Sequence, residues 1–195
     1  MRNLSVARRL GTALLLSCLA GAPLAAETFT ERVTPCLACH GDKGQSDAPE
    51  VPSLGGQPAP YLLIQLYLFR EKQRVVEIMN DATATFTDDD LRRFSDFIAA
   101  LPPPQPPSDG AGDARLERGR TLITQHRCNS CHGLDLAGRD SIPLIAAQRE
   151  DYLVKSLREY KSNARPGYDP AMASVMAPVD DAQIRDLAFA IARFR

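Results

Sequence analysis

The feature that most constrains this chain is a five-residue pattern that occurs twice, Cys36-Leu37-Ala38-Cys39-His40 and Cys128-Asn129-Ser130-Cys131-His132, each followed by a glycine, Gly41 and Gly133. Two thiols three positions apart lie along one side of a helical turn, and a His directly after the second comes under whatever the thiols hold. C-x-x-C-H is the attachment pattern of c-type haem: each thiol adds to a vinyl group of the porphyrin and the His becomes the proximal iron ligand. Rival uses of the four Cys fit the spacing less well. A zinc site has no use for a His immediately after each pair. A thioredoxin-like redox pair needs a β-α-β context, and a disulfide closed within C-x-x-C is strained and stabilises little. The pattern predicts two covalently bound haem c groups, on Cys36 and Cys39 and on Cys128 and Cys131, with His40 and His132 on the irons.

Residues 1–26 are unlike the remainder. Arg2, Arg8 and Arg9 precede an apolar run, and small residues follow up to Ala26, the layout of a secretory signal peptide. The run is too short to span a bilayer. Cleavage after Ala26 leaves Leu24 at the minus-three position, where a smaller residue is usual. Leu15-Leu16-Ser17-Cys18 offers a second reading, a bacterial lipoprotein box that would leave a lipid on Cys18. Either route places the mature protein in the periplasm, where four Cys would ordinarily suggest two disulfides. The adjacent His residues argue for haem instead. With 44% hydrophobic residues, 24% charged residues and a formal net charge of -1, the chain is neither a disordered tail nor a polybasic nucleic-acid binder.

The pentads head an internal repeat. After each His the order Pro, Gln, Tyr, Met recurs at similar distances: Pro52, Gln57, Tyr61 and Met79 in one copy, Pro143, Gln148, Tyr152 and Met172 in the other. Each copy closes on an amphipathic helix, with Leu91, Phe94, Ile98 and Leu101 on one face, and Ile184, Leu187, Ala188, Ile191 and Phe194 on the other copy's. Thr87 with Asp90 and Asp180 with Gln183 read as capping boxes that open these helices. Middle helices are expected over residues 58–71 and 148–161. No segment alternates with period two, so the fold class is all-α: two tandem domains, residues 27–101 and 114–195, each wrapped around a haem. Between them, residues 102–113 hold five Pro and two Gly and read as a semi-rigid extended linker. Domains of about eighty residues rarely supply a self-sufficient core, and a covalent haem serves as one.

Beyond the signal peptide only Met79, Met172 and Met176 are available as thioether ligands. A Met is usually core filler, but Met79 and Met172 stand at equivalent places in the two copies, whereas Met176 aligns with Thr83. The expected metal ligands are therefore His40 with Met79 and His132 with Met172. A thioether on each iron closes its open position and favours the reduced state. His126 lies too close to Cys128 to reach the far side of its own haem and reads as a surface or packing residue.

These elements, with the Pro52, Leu54, Gln57 run and Arg74 ahead of Met79, resemble the cytochrome c4 family, periplasmic di-haem members of the class I cytochromes c, over nearly all of residues 30–195. The resemblance implies that the carbonyls of Pro52 and Pro143 accept a hydrogen bond from the second ring nitrogen of His40 and His132. It also implies that the two domains pack with their haems close. The protein would then be an electron-transfer protein rather than an enzyme, passing single electrons between redox partners toward a terminal oxidase, often while loosely membrane-associated. A di-haem electron-accepting subunit of a periplasmic dehydrogenase, such as flavocytochrome c sulfide dehydrogenase, shares the duplication and is the alternative. A di-haem peroxidase would need an exchangeable iron site and a longer chain. Three departures bear on geometry: the stretch before Cys36 is short, Ala146-Ala147-Gln148 replaces Gly55-Gly56-Gln57, and Pro143 stands one residue closer to its His than Pro52 does.

Charge is unevenly divided. Residues 27–101 hold seven Lys and Arg against twelve Asp and Glu, and residues 114–195 hold thirteen against ten. Such a dipole suggests that electrons enter and leave by different haems, with Arg115, Arg118 and Arg120 facing an acidic partner.

Overall fold

The computed structural model describes residues 27–109, 114–165 and 170–195; the export segment with Cys18, and the last four residues of the expected linker, lie outside the described residues. Among the described residues the regular structure is helical, apart from one isolated antiparallel bridge between Arg139 and Ile142. The first half contains α1 (Phe29–His40), α2 (Ala59–Arg70), α3 (Glu77–Thr83) and α4 (Asp88–Ala99). The second contains α5 (Ala114–Gln125), α6 (Cys128–His132), α7 (Glu150–Lys161), α8 (Ala171–Met176) and α9 (Asp181–Ala192). In both halves the middle helix, α2 or α7, packs on the closing helix, α4 or α9, and on the short helix before it, α3 or α8. Both expected capping boxes form: the Thr87 and Asp180 side chains accept from the backbone N–H of Asp90 and Gln183, whose side chains reach back to the cap N–H.

Two separate apolar clusters underlie the halves. In the first, Val33, Leu66, Leu91 and Phe94 are buried, and Phe29, Phe86 and Phe97 close around them. Phe29 lies 5.1 Å from Phe94 and 5.6 Å from Phe97, ring centre to ring centre, while Phe86 stacks on Phe94 at 4.5 Å. Such pairs add about 0.5–1.5 kcal/mol each beyond simple burial. The second cluster spans Leu116, Leu122 and Ile123 of α5, Leu153 and Leu157 of α7, and most of α9. Here helices meet through small residues: a Cβ on Gly119 would stand 2.2 Å from the Asp186 carbonyl oxygen and 2.4 Å from the Ala190 Cβ. Repeat alignment sets Ala190 opposite Phe97. One copy thus fills the crossing of its first and last helices with rings, and the other brings the two backbones together.

The helices that carry the pentads differ as well. In the first half α1 runs through Cys36, Cys39 and His40 without interruption, with Pro35 inside it. In the second, α5 ends at Gln125, Arg127 adopts a left-handed backbone with φ 53, and the pentad forms the separate α6. The helical stretch preceding the pentad is accordingly shorter in the first half, as the sequence led one to expect.

Residues 102–109 form neither helix nor strand. They are not free of the halves. Pro104 is buried, Pro103 lies against Gly56, and Asp109 pairs with Arg193 at 3.1 Å.

Candidate functional site

Each pentad ends where a glycine turns the chain. Gly41 and Gly133 have φ 84 and φ 88, and a Cβ on Gly41 would stand 2.0 Å from the Gln45 carbonyl oxygen. That turn sends the chain back over the His. His40 Nδ1 donates to the Pro52 carbonyl at 2.9 Å, and His132 Nδ1 donates to the Pro143 carbonyl at 2.9 Å. Burial pushes both imidazoles below their ordinary pKa, outweighing the opposing pull of the proline carbonyls. A neutral ring whose Nδ1–H is donated carries its lone pair on Nε2, the state a metal requires. Four thiols stand with these rings. Cys36 and Cys128 are half-buried, with burial raising their pKa, Cys39 and Cys131 are exposed, and all four are free.

The exchange of Gly56 for Ala147 leaves this geometry intact. Ala147 takes φ 55 where Gly56 has φ 68, so the second loop follows the same path, and the His-to-proline distance is the same in both copies. The methionines divide as the repeat does. Met79 on α3 and Met172 on α8 are both half-buried, whereas Thr83 and Met176 are both buried, 1% and 2% exposed. His126 is half-buried, and its Nε2 has no hydrogen-bond partner.

The resemblance led one to expect that the halves pack together, but the residues that form the seam between them were missed. Gln57 donates through Nε2 to the Leu144 carbonyl at 2.7 Å, and its Oε1 accepts from the Leu144 N–H at 3.1 Å. Gln148 does the same to Ser53, donating to its carbonyl at 2.8 Å and accepting from its N–H at 2.8 Å. Beside these contacts lie two arginines without a carboxylate partner among the described residues. Arg74 donates to Gln65 Oε1 at 2.7 Å and to the Tyr152 hydroxyl at 3.3 Å, and Arg165 donates to the same Gln65 oxygen at 3.3 Å and to Ser156 Oγ at 3.3 Å. Arg165 is only 6% exposed. Burial alone would raise the Tyr152 hydroxyl, but the Arg165 and Arg74 guanidinia pull it well below the ordinary phenol value. Uncompensated positive charge in a buried place calls for an anion. A porphyrin brings two carboxylates. Free thiols at each pentad, a His whose Nδ1–H is held by a proline carbonyl, and the buried Arg165 and half-buried Arg74 with no carboxylate partner among the described residues together fit haem c. The signal available in sequence was an Arg ahead of each repeat Met, of which only Arg74 stood out.

The charges singled out for docking are engaged within their own half. Arg115 pairs with Glu150 at 3.1 Å and Asp186 at 3.5 Å, Arg118 with Asp186 at 2.6 Å, and Arg120 with Glu117 at 3.0 Å. Arg115 and Arg118 tie α5 to its neighbours, so reversing them would disturb packing as well as any partner, whereas Arg120 pairs within α5 itself.

All-helical halves, each with a haem-attachment pentad whose His is oriented by a proline carbonyl, define a di-haem class I c-type cytochrome. A family model for cytochrome c matches residues 116–189. The chain is 30% identical over 177 residues to cytochrome c4 of Thiocapsa roseopersicina, covering 84% of this chain and 88% of that one. It is 28% identical over 200 residues to a thiosulfate dehydrogenase electron acceptor of Thiomonas intermedia, covering 96% and 92%. It also superposes on reduced recombinant cytochrome c4 from Pseudomonas stutzeri with a TM-score of 0.77, at 26% identity over 84% of this chain and 95% of that structure. The chain belongs to the cytochrome c4 family: it is an electron-transfer protein that carries two covalent haem c groups.

Proposed function

We propose that the protein is a periplasmic one-electron carrier whose two irons are held by His40 with Met79 and by His132 with Met172, one in residues 27–101 and one in residues 114–195. The observation that supports this reading is that each copy holds a His oriented by a proline carbonyl and a half-buried Met on a short helix, while the alternative Met176 is packed in the core. When bound, haem supplies one-electron exchange between ferric and ferrous iron. The chain's residues do the remainder: the thiols fix the porphyrin, Pro52 and Pro143 hold the imidazoles, and the thioethers fill the position that a substrate would need. In this reading the protein would shuttle single electrons between periplasmic or membrane-bound redox partners, toward a terminal oxidase. No helix among the described residues is long and apolar enough to cross a membrane.

A second reading, an electron-accepting partner of one periplasmic dehydrogenase, is favoured by the likeness to the Thiomonas protein along almost the whole chain. Intact mass of the native protein should show the polypeptide beginning near Glu27 plus two haem additions. Replacing Met79 by Ala should remove about half of the sulfur-to-iron absorption band of the oxidised protein and open one haem to carbon monoxide. Loss of that band in Met176→Ala but not in Met172→Ala would overturn the ligand assignment in the second half. Isolation from the native periplasm separates the two readings: a stable dehydrogenase complex supports the second, a free di-haem protein the first.

A further inference from the structure

The peptide group joining Pro143 to Leu144 is engaged at both ends. Its carbonyl accepts from His132 Nδ1 at 2.9 Å, and its N–H, that of Leu144, donates to Gln57 Oε1 of the first half at 3.1 Å. The peptide joining Pro52 to Ser53 repeats this with the halves exchanged: its carbonyl accepts from His40 Nδ1 at 2.9 Å, and the Ser53 N–H donates to Gln148 Oε1 at 2.8 Å. A backbone N–H can only donate, so the side-chain oxygen of each Gln is fixed by its partners. Gln148 Oε1 also accepts from the Arg149 N–H. Gln57 and Gln148 are each 4% exposed, so water does not compete.

Hydrogen bonds in series polarise one another, by about 10–30% per bond in a low-dielectric interior. An acceptor on the N–H of a peptide moves electron density toward its own carbonyl oxygen. That oxygen then draws harder on the His Nδ1–H, and the imidazole becomes a stronger donor at Nε2. We infer that Gln57 and Gln148 are positioning residues for the iron ligand of the opposite half, Gln57 acting on His132 and Gln148 on His40. The reduction potential of each haem is thereby set in part across the seam. This rests on the His ligation proposed above.

The test is a redox titration of the full di-haem protein followed by NMR, with haem methyl signals assigned to each half. Gln57→Met keeps the volume and removes both bonds. It should raise the potential of the haem on Cys128 and Cys131 and leave that on Cys36 and Cys39 unmoved, and Gln148→Met should do the reverse. A shift confined to the variant's own half, an equal shift of both haems, or no shift overturns the inference. Should the Met variants not fold, Gln57→Glu keeps the shape. Facing the Leu144 carbonyl in a buried site, the new carboxyl holds a proton, donates it to that carbonyl and leaves a weaker acceptor than the amide on the Leu144 N–H. It should raise the potential of the second haem relative to the first, and a fall or no change overturns the idea. The ligation reading fails separately: it falls if the oxidised wild-type protein lacks a low-spin His and Met spectrum, whereas that spectrum without crossed potential shifts removes only the inference.

Discussion

Gly56 and Ala147 hold the same left-handed backbone in the two copies, and the difference in side chain has opposite consequences for substitution. An L-residue in this region carries a strain of about 1–2 kcal/mol that glycine avoids. Glycine in turn adds entropy to the unfolded chain, which returns part of that gain. Ala147→Gly should therefore stabilise the protein by roughly 0.5–1 kcal/mol, seen as a higher guanidinium midpoint in far-UV circular dichroism. Gly56→Ala should lower the midpoint by a larger amount, because its Cβ would stand 2.8 Å from the Pro103 Cβ in addition to the strain. Equal and small effects at both positions would mean that the loops relax freely. The exchange of Gly for Ala was visible in the aligned repeat. That the loop keeps its path was not, since the tolerance of one alanine for positive φ depends on the hydrogen bonds around it, such as the Ala147 N–H to the Ile191 carbonyl at 3.1 Å.

At the scale of helices, α1 and α4 are joined by Arg32 and Asp90, 2.5 Å apart, with Asp90 also closing the Thr87 capping box. The Arg32 hydrogen bond holds the Asp90 carboxyl well below the usual carboxylate range, with the Thr87 backbone and hydroxyl adding to it against burial. A carboxyl depressed in the folded state binds its proton more readily in the unfolded chain, whose Asp has a pKa of about 3.9. The stability it contributes is thus complete above about pH 5 and is lost as pH falls through and below 4. Asp90→Asn should cost about 1–3 kcal/mol at neutral pH and should flatten the loss of stability between pH 5 and 3 in denaturation midpoints. An unchanged pH profile would show that Asp90 is not the group responsible. The closing helices and both caps were legible because amphipathic period and capping residues are local signals. The helices α3 and α8, of seven and six residues, complete too few turns to show a period, and nothing in Arg127 announces the left-handed break before α6.

The whole molecule depends on contacts that no local pattern encodes. Gln57 and Leu144 are 87 positions apart, Ser53 and Gln148 are 95, and Arg149 reaches the Ser46 carbonyl across 103. The repeated Gln was plain in the sequence, but its partners are residues of the other copy, so reading one copy against the other reveals the position and hides the role. Those same contacts decide whether the halves are tethered beads or one body. If residues 102–109 merely tether them, a cut there should release two particles; if the seam holds them, the cut chain should behave as the intact one. We expect the latter. A specific protease site inserted after Pro107, once cleaved, should leave both halves eluting together at micromolar concentration in size-exclusion chromatography. Adding Gln57→Met and Gln148→Met should separate them after cleavage. Those changes orphan the buried N–H and carbonyl groups of Ser53 and Leu144, at roughly 1–3 kcal/mol for each group, and the outer pairs, Lys155 with Glu50 at 3.1 Å and Asp151 with the Glu50 N–H at 3.0 Å, are exposed and offset little of that loss. Separate elution of the cleaved wild-type chain would show that the proline-rich segment, rather than the glutamine pair, keeps the two halves in register.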